Sequence, residues 1–219
     1  KRINAVVVAT REMWDAVTNV RSGAHWKAVH PSSTSEEVKE LIIGATVYIE
    51  TSDSTGSGVI TIILGKKYVL TANHVIKDTR FARLTSLKDQ SFGFADSTGG
   101  WHDRFDIAAI TLPREMQHLP AVPLFRGKFS PGQPIFLSGF PGGFYHLTPG
   151  FITGYRNGGT EILHTARSFG GASGGMLITP EGQLCGIHTA TYLPGSPLYP
   201  NNTGTPSSLI LHLVDMHGR

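Results

Sequence analysis

From about residue 44 the chain breaks into short runs rich in β-branched and aromatic residues, each closed by a turn. They include ATVYIE, GVITIIL, YVLTA, DIAAITL, PIFLSGF, GFITGY, TEILHT, GMLIT and LCGIHTA. Runs of this length and composition, bounded by Gly, Pro, Asn or Asp, read as strands. About a dozen of them at this spacing argue for an all-β fold of packed barrels. Twenty-six glycines and thirteen prolines supply the turns such a fold needs. Hairpin turns are expected at Gly65-Lys66-Lys67 and at Pro180-Glu181-Gly182. A chain of 219 residues holds one large all-β domain or two small ones that share a core.

The ends of the chain follow other patterns. AVVVATREMWDAVTNV reads as an amphipathic helix, and SSTSEEVKEL has capping-box spacing at Ser33 and Glu36 or at Thr34 and Glu37. Residues 1–43 are therefore expected to form an extension with short helices. The proline-rich stretch at 113–134 is the candidate linker. The final run SSLILHLVDMH fits a last strand or a closing helix equally well. The chain opens on Lys1-Arg2 without a methionine, which is expected of a processed or trimmed piece.

Composition excludes several function classes. No apolar run approaches the roughly 18 residues that a membrane helix needs. One cysteine, Cys185, allows no intrachain disulfide and suits a reducing compartment. It lies inside a strand with no histidine placed to activate it, so packing is the expected role. The formal net charge is +3 but the basic residues are scattered. RNA binding is thus weakly supported, resting on Lys66-Lys67, the basic pI and the extension. Ten histidines show neither HExxH nor Cys/His pairs at zinc spacing, so no metal or other cofactor is expected.

Residues 168–176 read SFGGASGGM, with Ser173 between Gly170, Gly171, Gly174 and Gly175. Glycines allow positive φ and let backbone N–H groups crowd a reacting carbonyl. A serine held there is a candidate nucleophile, but its hydroxyl needs a base. YVLTANHVI places His74 on the turn after an apolar strand. A base in turn needs an acceptor on its second nitrogen. RFDIAAITL places Asp106 at the head of a strand, whereas its competitor Asp103 sits in the polar stretch GWHDR. GASGG also satisfies the G-x-S-x-G nucleophile elbow of α/β-hydrolases. That fold wants its acid and histidine after the serine. Only 46 residues follow Ser173, offering Asp215 with His212 or His217, too few to complete such a sheet.

GSG at 56–58, VLTANHVI, DIAAI and GGASGG, in that order, resemble the chymotrypsin-like serine proteases. The likeness runs from about residue 44 to 192, with 32 residues from His74 to Asp106 and 67 from Asp106 to Ser173. It implies two six-stranded antiparallel β-barrels of chymotrypsin type. Residues 44–118 would form the first, carrying His74 and Asp106, and 132–219 the second, carrying Ser173, with 119–131 as linker. The site would lie in the cleft between them. The N–H groups of Gly171 and Ser173 would form the oxyanion hole. Ala172 stands where trypsin-like digestive enzymes carry an aspartate, so activation by an N-terminal ion pair is not expected. GFPGG at 139–143 is similar to a glycine-rich turn of HtrA-type proteases.

The resemblance also implies a pocket for the residue before the scissile bond. His188 in CGIHTAT occupies the strand that lines it, and Ser168 faces it from the opposite wall. Thr189 and Thr191 add wall or backbone contacts, and Arg167, six residues before Ser173, lies near where trypsin-like enzymes keep their pocket aspartate, a charge that would favour Glu over Gln. A Ser plus His pair is similar to that of glutamyl endopeptidases and of arterivirus, sobemovirus and astrovirus proteases, which implies cleavage after Glu or Gln. The expected function is a serine endopeptidase that cuts polypeptides, its own viral polyprotein included, in a host cytoplasm. A bacterial or phage glutamyl endopeptidase, or an HtrA-like protease of the bacterial cytoplasm or periplasm, is the alternative. An RNA- or partner-binding module with an idle triad is a third reading.

Overall fold

The computed structural model describes residues 6–8, 34–96 and 100–217. Two antiparallel sheets carry most of them. The first has the order β6-β5-β2-β3-β4-β8-β7. Its strands are β2 (Thr46–Glu50), β3 (Thr55–Ile63), β4 (Lys66–Thr71), β5 (Phe81–Ser86), β6 (Phe92–Asp96), β7 (Gly100–His102) and β8 (Ile107–Thr111). The second closes on itself as β9-β10-β11-β14-β13-β12 and back to β9. These strands are β9 (Pro134–Gly139), β10 (Tyr145–Arg156), β11 (Glu161–His164), β12 (Met176–Ile178), β13 (Leu184–Ala190) and β14 (Asn202–Pro206). The second half is thus the expected six-stranded barrel. The first differs from it, being a half-barrel of seven strands whose end strands β6 and β7 are not paired with each other.

Alternation along the strands builds the interior. On β9, Ile135 and Leu137 enter the barrel core with Ile152, Ile162 and Cys185, while Phe136 turns to the larger cluster shared with the first sheet. Successive side chains of a strand point to opposite faces, so one strand serves both layers. The halves are joined by polar contacts as well. Thr46 Oγ1 and Ser138 Oγ lie 2.8 Å apart, and Thr205 Oγ1 donates to the Phe105 carbonyl at 2.5 Å. The linker is fastened to both sheets: Val122 N–H donates to Ile60 O at 2.9 Å, and Leu124 bridges to Leu184.

The termini correct parts of the sequence reading. Val6–Val8 form a strand, β1, parallel to Tyr145–Leu147, where a helix was expected. The rest of that expected helix falls at 9–20, outside the described residues. The helix α1 (Glu36–Ala45) is capped by Ser35, whose Oγ accepts from Val38 N–H at 3.3 Å, and not by Thr34; Ser33 lies outside the described residues. The final run is a closing helix, α3 (Ser207–His217), which follows directly from β14. Ile210, Leu213 and Val214 bury its apolar side. Among the described residues no helix is long and apolar enough to cross a membrane.

Candidate active site

His74 lies on α2 (Asn73–Ile76), a single helical turn after β4. Val75 and Ile76 are buried on one side of that turn, which leaves His74 exposed on the other. Asp106 follows the 3-10 turn Asp103–Phe105 and immediately precedes β8. Its backbone is left-handed, with φ 48°, a conformation that costs a non-glycine residue about 1–3 kcal/mol. Two bonds hold it against that strain. His74 N–H donates to Asp106 Oδ1 at 2.9 Å, and His74 Nδ1 lies 2.7 Å from Asp106 Oδ2. Asp103 is engaged elsewhere, accepting from Asn73 Nδ2 at 2.6 Å.

Ser173 sits on the loop between β11 and β12, with its carbonyl accepting from Ser57 N–H at 2.8 Å. Gly56 marks how closely this loop meets α2. A Cβ there would lie 2.7 Å from Val75 Cγ1 and 3.1 Å from Ser173 O. Gly56 therefore lies between the Val75 side chain, next to His74, and the Ser173 carbonyl, with no room for a side chain of its own. The serine loop thus lies against β3 and the end of β4, the strand that leads into His74.

The loop before Ser173 is pinned from behind. Gly170 O accepts from Gly142 N–H at 2.7 Å, and Ala172 O accepts from Gly175 N–H at 2.9 Å. In a trans peptide C=O and N–H point in opposite directions. The N–H groups of Gly171 and Ser173 accordingly face away from those partners, and neither donates to another group among the described residues. Ser57 Oγ adds a clamp, donating to Gly171 O and accepting from Phe140 N–H, both at 2.8 Å. Gly171 has φ +95°, and a Cβ there would fall 2.6 Å from Phe140 O. The GFPGG stretch and the serine loop are thus fitted to each other.

His188 is fully buried, and each of its ring nitrogens has a partner. Its Nδ1 lies 3.1 Å from His164 Nε2, and its Nε2 lies 3.0 Å from Ser168 Oγ and 3.3 Å from Thr191 Oγ1. Ser168 Oγ and Thr191 Oγ1 also face each other at hydrogen-bond distance. Burial first, and the nearby His74 second, push the His188 pKa down to about 3. Burial and then His188 hold His164 well below its ordinary value. Both shifts favour the neutral imidazole at pH 7. The backbone of His188 ties the cluster to the serine loop: Gly174 N–H donates to His188 O, and His188 N–H to Gly175 O, both at 2.8 Å.

The structure brings Ser168, His188 and Thr191 together, and Arg167 lies apart from them. Arg167 is exposed, and only its carbonyl is tied down, accepting from Thr148 Oγ1 at 2.8 Å. Thr189 is half-buried beside Thr203, with the two hydroxyls 3.4 Å apart. The sequence reading missed His164 and Ser57. Period-two alternation in EILH puts His164 on the buried face with Ile162, and that was the available signal. Cys185 is buried in the barrel core, where burial raises its thiol pKa, in keeping with a packing role. The chain after Ser173 enters strand β12 and not a helix, so the nucleophile-elbow geometry of an α/β-hydrolase is absent.

This fold and this site define a serine peptidase domain of chymotrypsin-like fold. Residues 56–187 match the trypsin-like peptidase domain family, and the chain belongs to it. It is similar to Protease Do-like 1, chloroplastic, from Arabidopsis thaliana, with 31% identity over 158 residues, covering 67% of this chain and 35% of that protein. It is also similar to a probable periplasmic serine endoprotease DegP-like from a Marinomonas strain, with 29% identity over 172 residues, covering 74% of this chain and 35% of that protein. The chain spans about a third of the length of these two relatives. Among solved structures, the serine endoprotease from Yersinia pestis shares the fold with a TM-score of 0.69 and 22% identity, over 83% of this chain and 68% of that one.

Proposed function

We propose that the chain is the peptidase domain of a Do-like, HtrA-type serine endopeptidase. The observation that carries the reading is the Asp106–His74 pair set beside the serine loop. The carboxylate favours the His74 tautomer with its proton on Nδ1, which leaves Nε2 bare. Nε2 takes the Ser173 hydroxyl proton as Oγ attacks the scissile carbonyl. The N–H groups of Gly171 and Ser173 receive the developing oxyanion. His74 then passes the proton to the leaving amine, and water hydrolyses the acyl-enzyme by the same steps in reverse roles.

The similar relatives are named chloroplastic and periplasmic proteases. They favour the HtrA-like alternative, and a compartment such as the periplasm, over processing of a viral polyprotein in a host cytoplasm. One of the groups offered for RNA binding is engaged within the chain: the Lys67 ammonium donates to Gln117 O at 2.7 Å and Leu119 O at 2.6 Å.

For the first pocket, neutral His188 behind the Ser168 and Thr191 hydroxyls, with Arg167 exposed, supports an uncharged polar or small side chain over Glu. Cleavage after Glu is the second reading, favoured by the same Ser168–His188 pairing. A peptide library that differs only at the residue before the cut tests both, on wild type, Ser173→Ala and His188→Gln. Cleavage by wild type after Gln or small residues, absent in Ser173→Ala, is expected. A clear Glu preference sinks the pocket reading and leaves the peptidase reading standing. Undiminished cleavage by Ser173→Ala sinks the peptidase reading.

A further inference from the structure

Thr71 is the last residue of β4, and it is fully buried. The acyl-transfer steps leave it without a role, yet its place in the chain ties it to both partners of the Asp106–His74 pair. His74 follows three residues later on α2. Across the sheet Thr71 is paired with Ala108 of β8, two residues past Asp106.

Its side chain reaches the third part of the site. Thr71 Oγ1 donates to the Ser57 carbonyl at 2.8 Å, beyond Val59 and Leu70, where the β3–β4 pairing ends. The Ser57 N–H donates to Ser173 O, also at 2.8 Å. The N–H and C=O of one strand residue point to the same side. Ser57 thus gives its N–H to the serine loop and its C=O to the strand that leads into His74. Gly174, the residue after Ser173, fits against that junction. Its φ is +86°, and a Cβ there would overlap both Ser57 O and Thr71 Oγ1. The backbone of the serine loop therefore rests on the Thr71–Ser57 hydrogen bond.

We infer that Thr71 is a positioning residue for acyl transfer: its hydroxyl, drawn in by the Ser57 carbonyl, sets how closely the serine loop seats against the strand that carries His74. The inference rests on the endopeptidase reading above. Two oxygens approach to 2.8 Å here because a proton lies between them. A carbon atom keeps about 3.3–3.6 Å from a carbonyl oxygen, so a methyl group in place of the hydroxyl spreads β3, β4 and Gly174 by roughly half an ångström. Misplacing reacting groups by about 1 Å costs on the order of 10²-fold in rate. The loss falls on kcat, because Thr71 is buried behind the loop and does not reach a bound peptide.

The test compares wild type, Thr71→Ser and Thr71→Val on one peptide amide, well below the melting midpoint of each. Thr71→Ser keeps the hydroxyl and should retain most of the wild-type kcat. Thr71→Val should lose about 10-fold to 10²-fold in kcat with KM little changed. A folded Thr71→Val with the kcat of wild type overturns the inference. An equal loss in Thr71→Ser and Thr71→Val also overturns it, since packing and not the hydroxyl would then be responsible, and so does a loss carried by KM alone. If Thr71→Val does not fold, Thr71→Cys takes its place, because a thiol is only a weak donor. A kcat equal to that of Thr71→Ser then overturns the inference. If wild type cuts neither the peptide nor an unfolded protein such as casein, the endopeptidase reading fails and this inference falls with it.

Discussion

Asp106 holds His74 at two points, Oδ1 on the backbone N–H at 2.9 Å and Oδ2 against Nδ1 at 2.7 Å. One bond fixes where α2 sits and the other fixes how the ring turns. Asp106→Asn keeps the size and most of the geometry but puts an amide against Nδ1. That favours the tautomer with the proton on Nε2, where it blocks attack by Ser173. The expected result is a fall in kcat of about 10⁴-fold, with KM and the melting curve little changed. Asp103→Asn is the matched control, since the Asp103 carboxylate bonds Asn73 and not His74 among the described residues. It should lose less than about tenfold, and a loss as large as that of Asp106→Asn would reassign the orienting acid.

The histidine, aspartate and serine were legible because each carries unusual chemistry at the end of a well-patterned strand or inside a glycine cluster. What held them in place was not. The left-handed backbone of Asp106 has no signature in RFDIAAITL. The clamp by Ser57 joins residues 114 positions apart. Strands also went unseen where burial does not depend on apolar side chains. NTGTP has no large apolar residue, yet it is buried as β14, and Asn202 Nδ2 donates to Ala166 O at 2.7 Å. FARLTS and FGFAD show their phenylalanines to solvent and bury Ala82, Leu84 and Ala95 instead, which weakens the apolar alternation. The terminal run fitted strand or helix, and the direct step from β14 into α3 decided for helix.

Ser57 is buried, and its hydroxyl connects Phe140 N–H to Gly171 O. Ser57→Ala leaves that N–H and that carbonyl without their partner. An unsatisfied buried group costs about 1–3 kcal/mol. The melting temperature should fall, and kcat should fall further than stability alone explains, because Gly171 is no longer fixed. Thermal unfolding and peptide hydrolysis below the melting range separate the two effects. A variant that is destabilised but retains full kcat at low temperature would show that the clamp serves the fold alone.

Gly171→Ala tests the fit between the serine loop and the turn behind it. The added Cβ meets the Phe140 carbonyl at 2.6 Å, and the φ of +95° is itself strained for alanine. The loop must shift, carrying its N–H out of position. Loss of one oxyanion donor typically lowers kcat by about 10²–10³-fold. Substrate affinity, measured by peptide binding to the Ser173→Ala and Gly171→Ala double variant, should change little. A large loss of affinity with kcat intact would place Gly171 in ground-state binding instead.

His188 and His164 give the fold a pH dependence of defined sign. His188 has its pKa pushed down to about 3, and His164 is shifted in the same direction, both chiefly by burial. In the unfolded chain a histidine takes up its proton near its ordinary value of about 6.5. Below that pH the unfolded state binds more protons than the folded one, so stability falls as pH falls. Each histidine contributes a slope of at most about 1.4 kcal/mol per pH unit, from roughly pH 6.5 down to its folded value. Above pH 7 neither contributes a slope. Urea unfolding from pH 7.5 to 4.5 should show a steadily declining midpoint for wild type. The decline should be shallower in His164→Gln and in His188→Gln, which replace the ring with an amide that does not titrate. An equal slope in wild type and both variants would mean that the imidazoles find a way to protonate inside the fold.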